Sequence, residues 1–103
     1  MISIVGLGAG ASAVAEKFSS VSQYNVYLMS NKIERRSKYK FKLESYEEPE
    51  EYEKNIPDVK KFFKDLDERV QIFVIGSAQS TNYVLGILQH IKDKRIDVFY
   101  IQP

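Results

Sequence analysis

The sequence predicts an α/β domain built on a parallel sheet, and three observations predict it. Apolar runs of strand length alternate with segments of helical periodicity along the chain. Two runs, Ile2-Ser-Ile-Val5 and Val70-Gln-Ile-Phe-Val-Ile75, are hydrophobic almost without interruption, as strands buried on both faces must be. Two small-residue turns, Gly6-Leu-Gly8-Ala9-Gly10 and Gly76-Ser77-Ala-Gln-Ser80-Thr81, follow those runs and lead straight into helical patterns.

Taken in order, residues 1–6 form a first, wholly buried strand. Ser12 to Ser20 carries Val14, Ala15 and Phe18 at helical spacing and predicts the first crossover helix. Tyr24 to Met29 is a second strand. Residues 38–43 alternate, with Tyr39, Phe41 and Leu43 on one face and Lys38, Lys40 and Lys42 on the other. That is a half-exposed edge strand whose lysines discourage pairing with other chains. Asn55-Ile-Pro57 opens a helix, with proline in the first turn where its missing N–H costs nothing. Val59, Phe62, Phe63 and Leu66 supply its apolar face. Residues 70–75 are the next core strand, Tyr83 to Lys92 a helix with Val84, Leu88 and Ile91 inward, and Ile96 to Ile101 the last strand.

With right-handed crossovers these units give a Rossmann-like three-layer domain with a parallel sheet ordered 3-2-1-4-5, one domain over residues 1–103. The first and fourth strands are then neighbours at the topological switch point. The turns at 6–12 and 76–82 lie side by side at their carboxyl ends, where open α/β sheets bind ligands.

Composition narrows the function. At 103 residues and 44% hydrophobic the chain can bury one core. A net charge of +1 gives no general argument for nucleic acid or an acidic membrane. The lack of cysteine removes disulfides, thiolate catalysis and most zinc sites, and fits a reducing cytoplasm. No apolar run reaches the ~18 residues of a membrane span, and the glycine-broken N-terminus does not read as a signal peptide. Val98 to Pro103 reads as a buried strand without a polar tail, which leaves a minimal domain and the front of a longer polypeptide both open.

The first turn is the main candidate site. Gly6, Gly8 and Ala11 satisfy the loose dinucleotide spacing, and glycines at this point let a phosphate approach the backbone and the new helix's free N–H groups. Its usual companion is missing: Ser30 and Asn31, not Asp or Glu, end the second strand where a ribose would be held. Arg35, Arg36 and Lys38 follow that strand, where cations could meet a 2′-phosphate; a solvated loop is the plainer account. Lys32 to Lys42 holds six cations against Glu34, and Glu44 to Glu53 holds six carboxylates and Pro49. Of these, the Glu47, Glu48, Glu50, Glu51 and Glu53 cluster reads as a solvated loop rather than a metal site. His90 suits the last turn of a helix and carries no expected catalytic role. Tyr24, Tyr27, Tyr39 and Tyr46 read as packing before recognition.

The second turn adds a family resemblance. A glycine-rich turn after the first strand, an apolar strand entering Gly76-Ser77-Ala-Gln-Ser80-Thr81-Asn82 and a helix, and a strand ending in Gln102-Pro103 together resemble the front of the tubulin/FtsZ GTPase domain. Gly76 and Thr81 match that family's Gly-Gly-Gly-Thr-Gly-Thr-Gly phosphate loop in place. Ser77, Ala78, Ser80 and Asn82 are small or turn-prone residues where the loop has glycine, and Gln79 replaces a threonine. Each replacement adds a Cβ where the loop would lie against phosphate.

The resemblance implies a divergent domain with weak or lost GTP or GDP binding, acting in self-association or a larger assembly as a homo-oligomer. Its site would comprise Gly6, Gly8, Ala9, Gly10, Ser12, Gly76, Ser77, Ser80, Thr81 and Asn82. The family's hydrolytic carboxylates come from a later segment with no counterpart here, so GTP hydrolysis by these residues alone is not expected. Two alternatives stand beside it. One is a small NAD(P)-binding domain, supported by Gly6, Gly8, Ala11 and the cations after the second strand. The other is a structural interaction module that kept the fold without a ligand. No nucleic-acid or membrane partner is expected.

Overall fold

A computed structural model describes residues 1–35, 37–43, 59–75, 86, 88–89 and 91–101. The strands are β1 (Ile2–Leu7), β2 (Tyr24–Ser30), β3 (Lys40–Lys42), β4 (Arg69–Ile75) and β5 (Arg95–Ile101), with helix α1 (Ala9–Glu16) between the first two. They form one five-stranded sheet in the order β3-β2-β1-β4-β5. Every pairing is parallel, with Ile2 beside both Tyr24 and Arg69, Leu28 beside Lys40, and Arg69 beside Arg95. The expected α/β architecture and strand order are therefore those of the molecule.

Strand composition explains which strand sits in the middle. Ser3 through Leu7 are all buried, so β1 is covered on both faces. Ile4, Ala15 and Leu28 pack on the face that α1 covers. Val5, Leu7, Tyr27, Met29, Val70, Ile72 and Val74 pack on the other, against Val59, Phe63, Leu66 and Ile91. The sheet is thus a middle layer with helix on one side and the 59–66 segment, Leu88 and Ile91 on the other. Among the described residues no helix is long and apolar enough to cross a membrane.

Several boundaries differ from expectation. Helix α1 starts at Ala9, three residues before Ser12, because Gly8 takes φ 97° and turns the chain directly into the helix. It ends at Glu16, after which Lys17, Phe18 and Ser19 close turns through i−3 bonds to Val14, Ala15 and Glu16. Strand β3 covers only Lys40–Lys42 rather than 38–43, since the Ser37 N–H bonds back to the Lys40 carbonyl and holds that approach in a turn. Phe41 and Leu43 are buried and both β3 lysines exposed, as the alternation requires. The 59–66 segment buries Val59, Phe63 and Leu66, yet residues 60–65 are successive turns, not a regular helix. One α-type bond, Phe63 N–H to the Val59 carbonyl at 2.9 Å, spans it.

The expected start of that helix at Asn55–Pro57, the acidic stretch 44–53, Arg36, Tyr46, Val84, His90, Gln102-Pro103 and the turn at 76–82 lie outside the described residues.

Candidate functional site

The site begins where β1 meets α1. Gly6 lies under the helix: a Cβ there would sit 2.8 Å from Ser12 Cα and 2.9 Å from both the Ala11 carbonyl oxygen and Ala15 Cβ. Its lack of a side chain sets how closely α1 crosses β1, and the buried Ala11 and Ala15 continue that contact. The Gly8 N–H donates to the Met29 carbonyl at 2.7 Å, and the Gly8 carbonyl accepts the first helical bond, from Ser12 N–H at 2.9 Å. The N–H groups of Ala9, Gly10 and Ala11 precede that bond and have no helical acceptor. No side chain caps them, and no acidic residue occupies the first turn. Together with the positive end of the helix, three free donors suit an anion.

Ser12 has a different place. Its hydroxyl lies 3.2 Å from the Gly6 carbonyl and 3.1 Å from the Met29 carbonyl. A hydroxyl has one proton to share between them, so Ser12 chiefly ties α1 to β1 and β2. Ser30, buried at the end of β2, accepts the Lys32 N–H on its Oγ at 3.0 Å and so shapes the turn leaving the strand.

Beyond these two serines opens a cleft of about 650 Å³ on the α1 face. It follows from the short β2–β3 connection, residues 31–39. Parallel strands are usually joined through a crossover of a dozen or more residues holding a helix. Nine residues leave that part of the layer open. Lys32, Arg35 and Lys40 reach the cleft, together with Glu16 and Glu34. Arg35 lines this cleft and is exposed. Lys38 lines a cleft on the opposite face instead, and its Nζ lies 5.4 Å from the centre of the Tyr39 ring. Lys32 and Lys40, not singled out for a site in the sequence, line the same cleft; Lys32 stands two residues past β2, a signal lost among its many cationic neighbours.

The opposite-face cleft, about 720 Å³, has Tyr27, Phe41 and Phe62 beside Lys38, Lys61 and Lys64. Tyr27 is buried among Tyr39, Phe62 and Phe63, at ring separations of 5.2, 5.5 and 5.9 Å. Burial, then the neighbouring Tyr39, Asp67 and Asp65, push its hydroxyl up to about 12. Tyr24 packs on the other face against Phe18, so Tyr24 and Tyr27 do not share one surface. A polar knot unseen in the sequence closes the amino end of the sheet. Asp67 accepts from buried Ser3 Oγ and from Asn25 Nδ2, both at 2.9 Å, and its N–H donates to Ser3 Oγ at 3.0 Å. Among the described residues no cluster of three or more His, Asp or Glu could hold a metal ion.

The pairing of β1 with β4, Leu7 beside Val74, brings the carboxyl end of β4 next to the glycine turn. Gly76, Ser77, Ser80, Thr81 and Asn82 themselves lie outside the described residues. Against known protein families, curated proteins and solved structures, the chain has no match.

Proposed function

We propose that the chain is a nucleotide-binding domain whose ligand runs along the carboxyl edge of the sheet. A phosphate sits at the start of α1 on the amides of Ala9, Gly10 and Ala11, and a phosphorylated ribose lies in the cleft beyond Ser30. The observation that carries this is the continuity of the uncapped α1 N-terminus, through Ser12, with a cleft that receives Lys32, Arg35 and Lys40. A ribose held only by hydroxyls calls for an acidic residue at the end of β2, and Ser30 stands there; cations in its place favour a 2′-phosphate. The ligand class is thus a dinucleotide phosphate of the NADP type.

A guanine nucleotide is the second reading. Its specific support is the β1–β4 pairing, which sets the approach to Gly76 and Thr81 beside the first turn as in the tubulin/FtsZ arrangement. Hydrolysis is not part of it.

Thermal unfolding with NADP, NAD, GTP and GDP at millimolar concentration tests both. A ligand at 100 times its Kd adds about 2.7 kcal/mol to the folded state. NADP is expected to raise the melting temperature more than NAD, and Lys32→Ala with Arg35→Ala to erase the difference. A shift confined to GTP and GDP transfers the proposal to the guanine reading. No shift with any of the four leaves the structural module standing and sinks both nucleotide readings.

A further inference from the structure

The two edges of the sheet are built differently. At one end β3 is three residues long and carries the exposed Lys40 and Lys42, the short, charged form that resists strand addition. At the other end β5 runs for seven residues, Arg95–Ile101, bonded to β4 on one side along its whole length. Its outer side is the end of the sheet, and no described residue pairs with it. Its charges are confined to its first three residues, Arg95 and the Asp97 that pairs with Arg69, and Arg95–Ile101 has no lysine, proline or glycine. Phe99 is 43% and Tyr100 58% exposed. Phe99 also ends a row of rings across the α1 face, stacked on Phe73 at 5.3 Å, which stacks on Phe18 at 5.7 Å.

We infer that β5 is the self-association surface of this protein, pairing antiparallel with β5 of a second copy to make one continuous ten-stranded sheet. The occupant follows from the edge itself. Seven residues of edge backbone with no described partner fit a partner edge of matching length. Among the described strands only β5 offers one, because β3 is too short and too charged. The strand is also self-complementary under a two-fold axis. With the axis at Val98, Arg95 faces Ile101 of the second copy, Ile96 faces Tyr100, and Asp97 faces Phe99. No like charges oppose one another, and Asp97 keeps Arg69 of its own chain at 3.6 Å. The two Phe99 rings become diagonal neighbours on one face, so the aromatic row runs on from copy to copy. This is independent of the nucleotide site, which lies at the end of β1 and β2.

The test is sedimentation equilibrium of the full chain over a wide concentration range, with amide hydrogen exchange on the same samples. A doubling of the 11.9 kDa mass is expected as concentration rises, with protection gained at alternate β5 amides. Tyr100→Lys, which copies the protection of β3 at an exposed position, is expected to weaken the dimer by about tenfold or more while leaving the melting curve of the monomer unchanged. Phe99→Lys is the second variant. A chain that stays monomeric at every concentration overturns the inference. So does a dimer whose β5 amides exchange as in the monomer, or one that both substitutions leave as tight as before.

Discussion

Gly6 and Gly8 look alike in the sequence but have different physical tasks. Gly8 needs a positive φ, and Gly6 needs an empty Cβ position under α1. Only the first task was legible from glycine in a strand–helix turn, since the second depends on how closely the helix crosses. Gly6→Ala is expected to destabilise the fold by roughly 1–3 kcal/mol, as overpacking at a tight backbone contact does, read from the urea midpoint. The Asp67 knot was illegible for a similar reason: Ser3, Asn25 and Asp67 are far apart in sequence and carry no motif. Tyr27 gives a pH prediction. Its ionisation is raised from 10.0 to about 12 in the folded chain, so above pH 10 the unfolded chain loses this proton first. The folded state then binds more protons than the unfolded one, and stability falls as pH rises through that window. Urea titrations at pH 9 and pH 11 are expected to show a loss on the order of 1 kcal/mol per pH unit in the wild type. In Tyr27→Phe that part of the slope disappears.

At the scale of elements, periodicity located the strands to within a residue or two; in β1 burial on both faces writes a plain hydrophobic run, whereas β5, read as a buried strand, leaves Phe99 and Tyr100 exposed. Helices were placed less well. Helix α1 begins at Ala9 because Gly8 turns the chain early, and small residues there hide the helical period. The 59–66 segment shows the helical pattern and buries the expected side chains, but contact with the sheet is satisfied by successive turns. The alternation at 38–43 correctly marked an edge, and its lysines follow the rule for exposed strands. Replacing Lys40 and Lys42 together by valine is expected to produce concentration-dependent aggregation with the fold retained, measured by light scattering beside circular dichroism. An equally monodisperse variant would show that β3 is too short to pair regardless of charge.

For the whole molecule, the strand order followed from the crossover rule, and it alone predicted that β1 and β4 would be neighbours. The site was only half legible. The glycine turn announced the start of α1, but the cleft beside it arises from a missing helix in the β2–β3 connection, which no residue type signals. At the far side of the sheet, no described residue pairs with the outer edge of β5. The most direct measurement is an amide chemical-shift titration of the chain with NADP. Saturable shifts are expected at Ala9, Gly10 and Ala11 together with residues 30–35, with β5 unmoved. Unshifted α1 amides at millimolar NADP, or shifts scattered over the sheet without saturation, would contradict a nucleotide site at this edge.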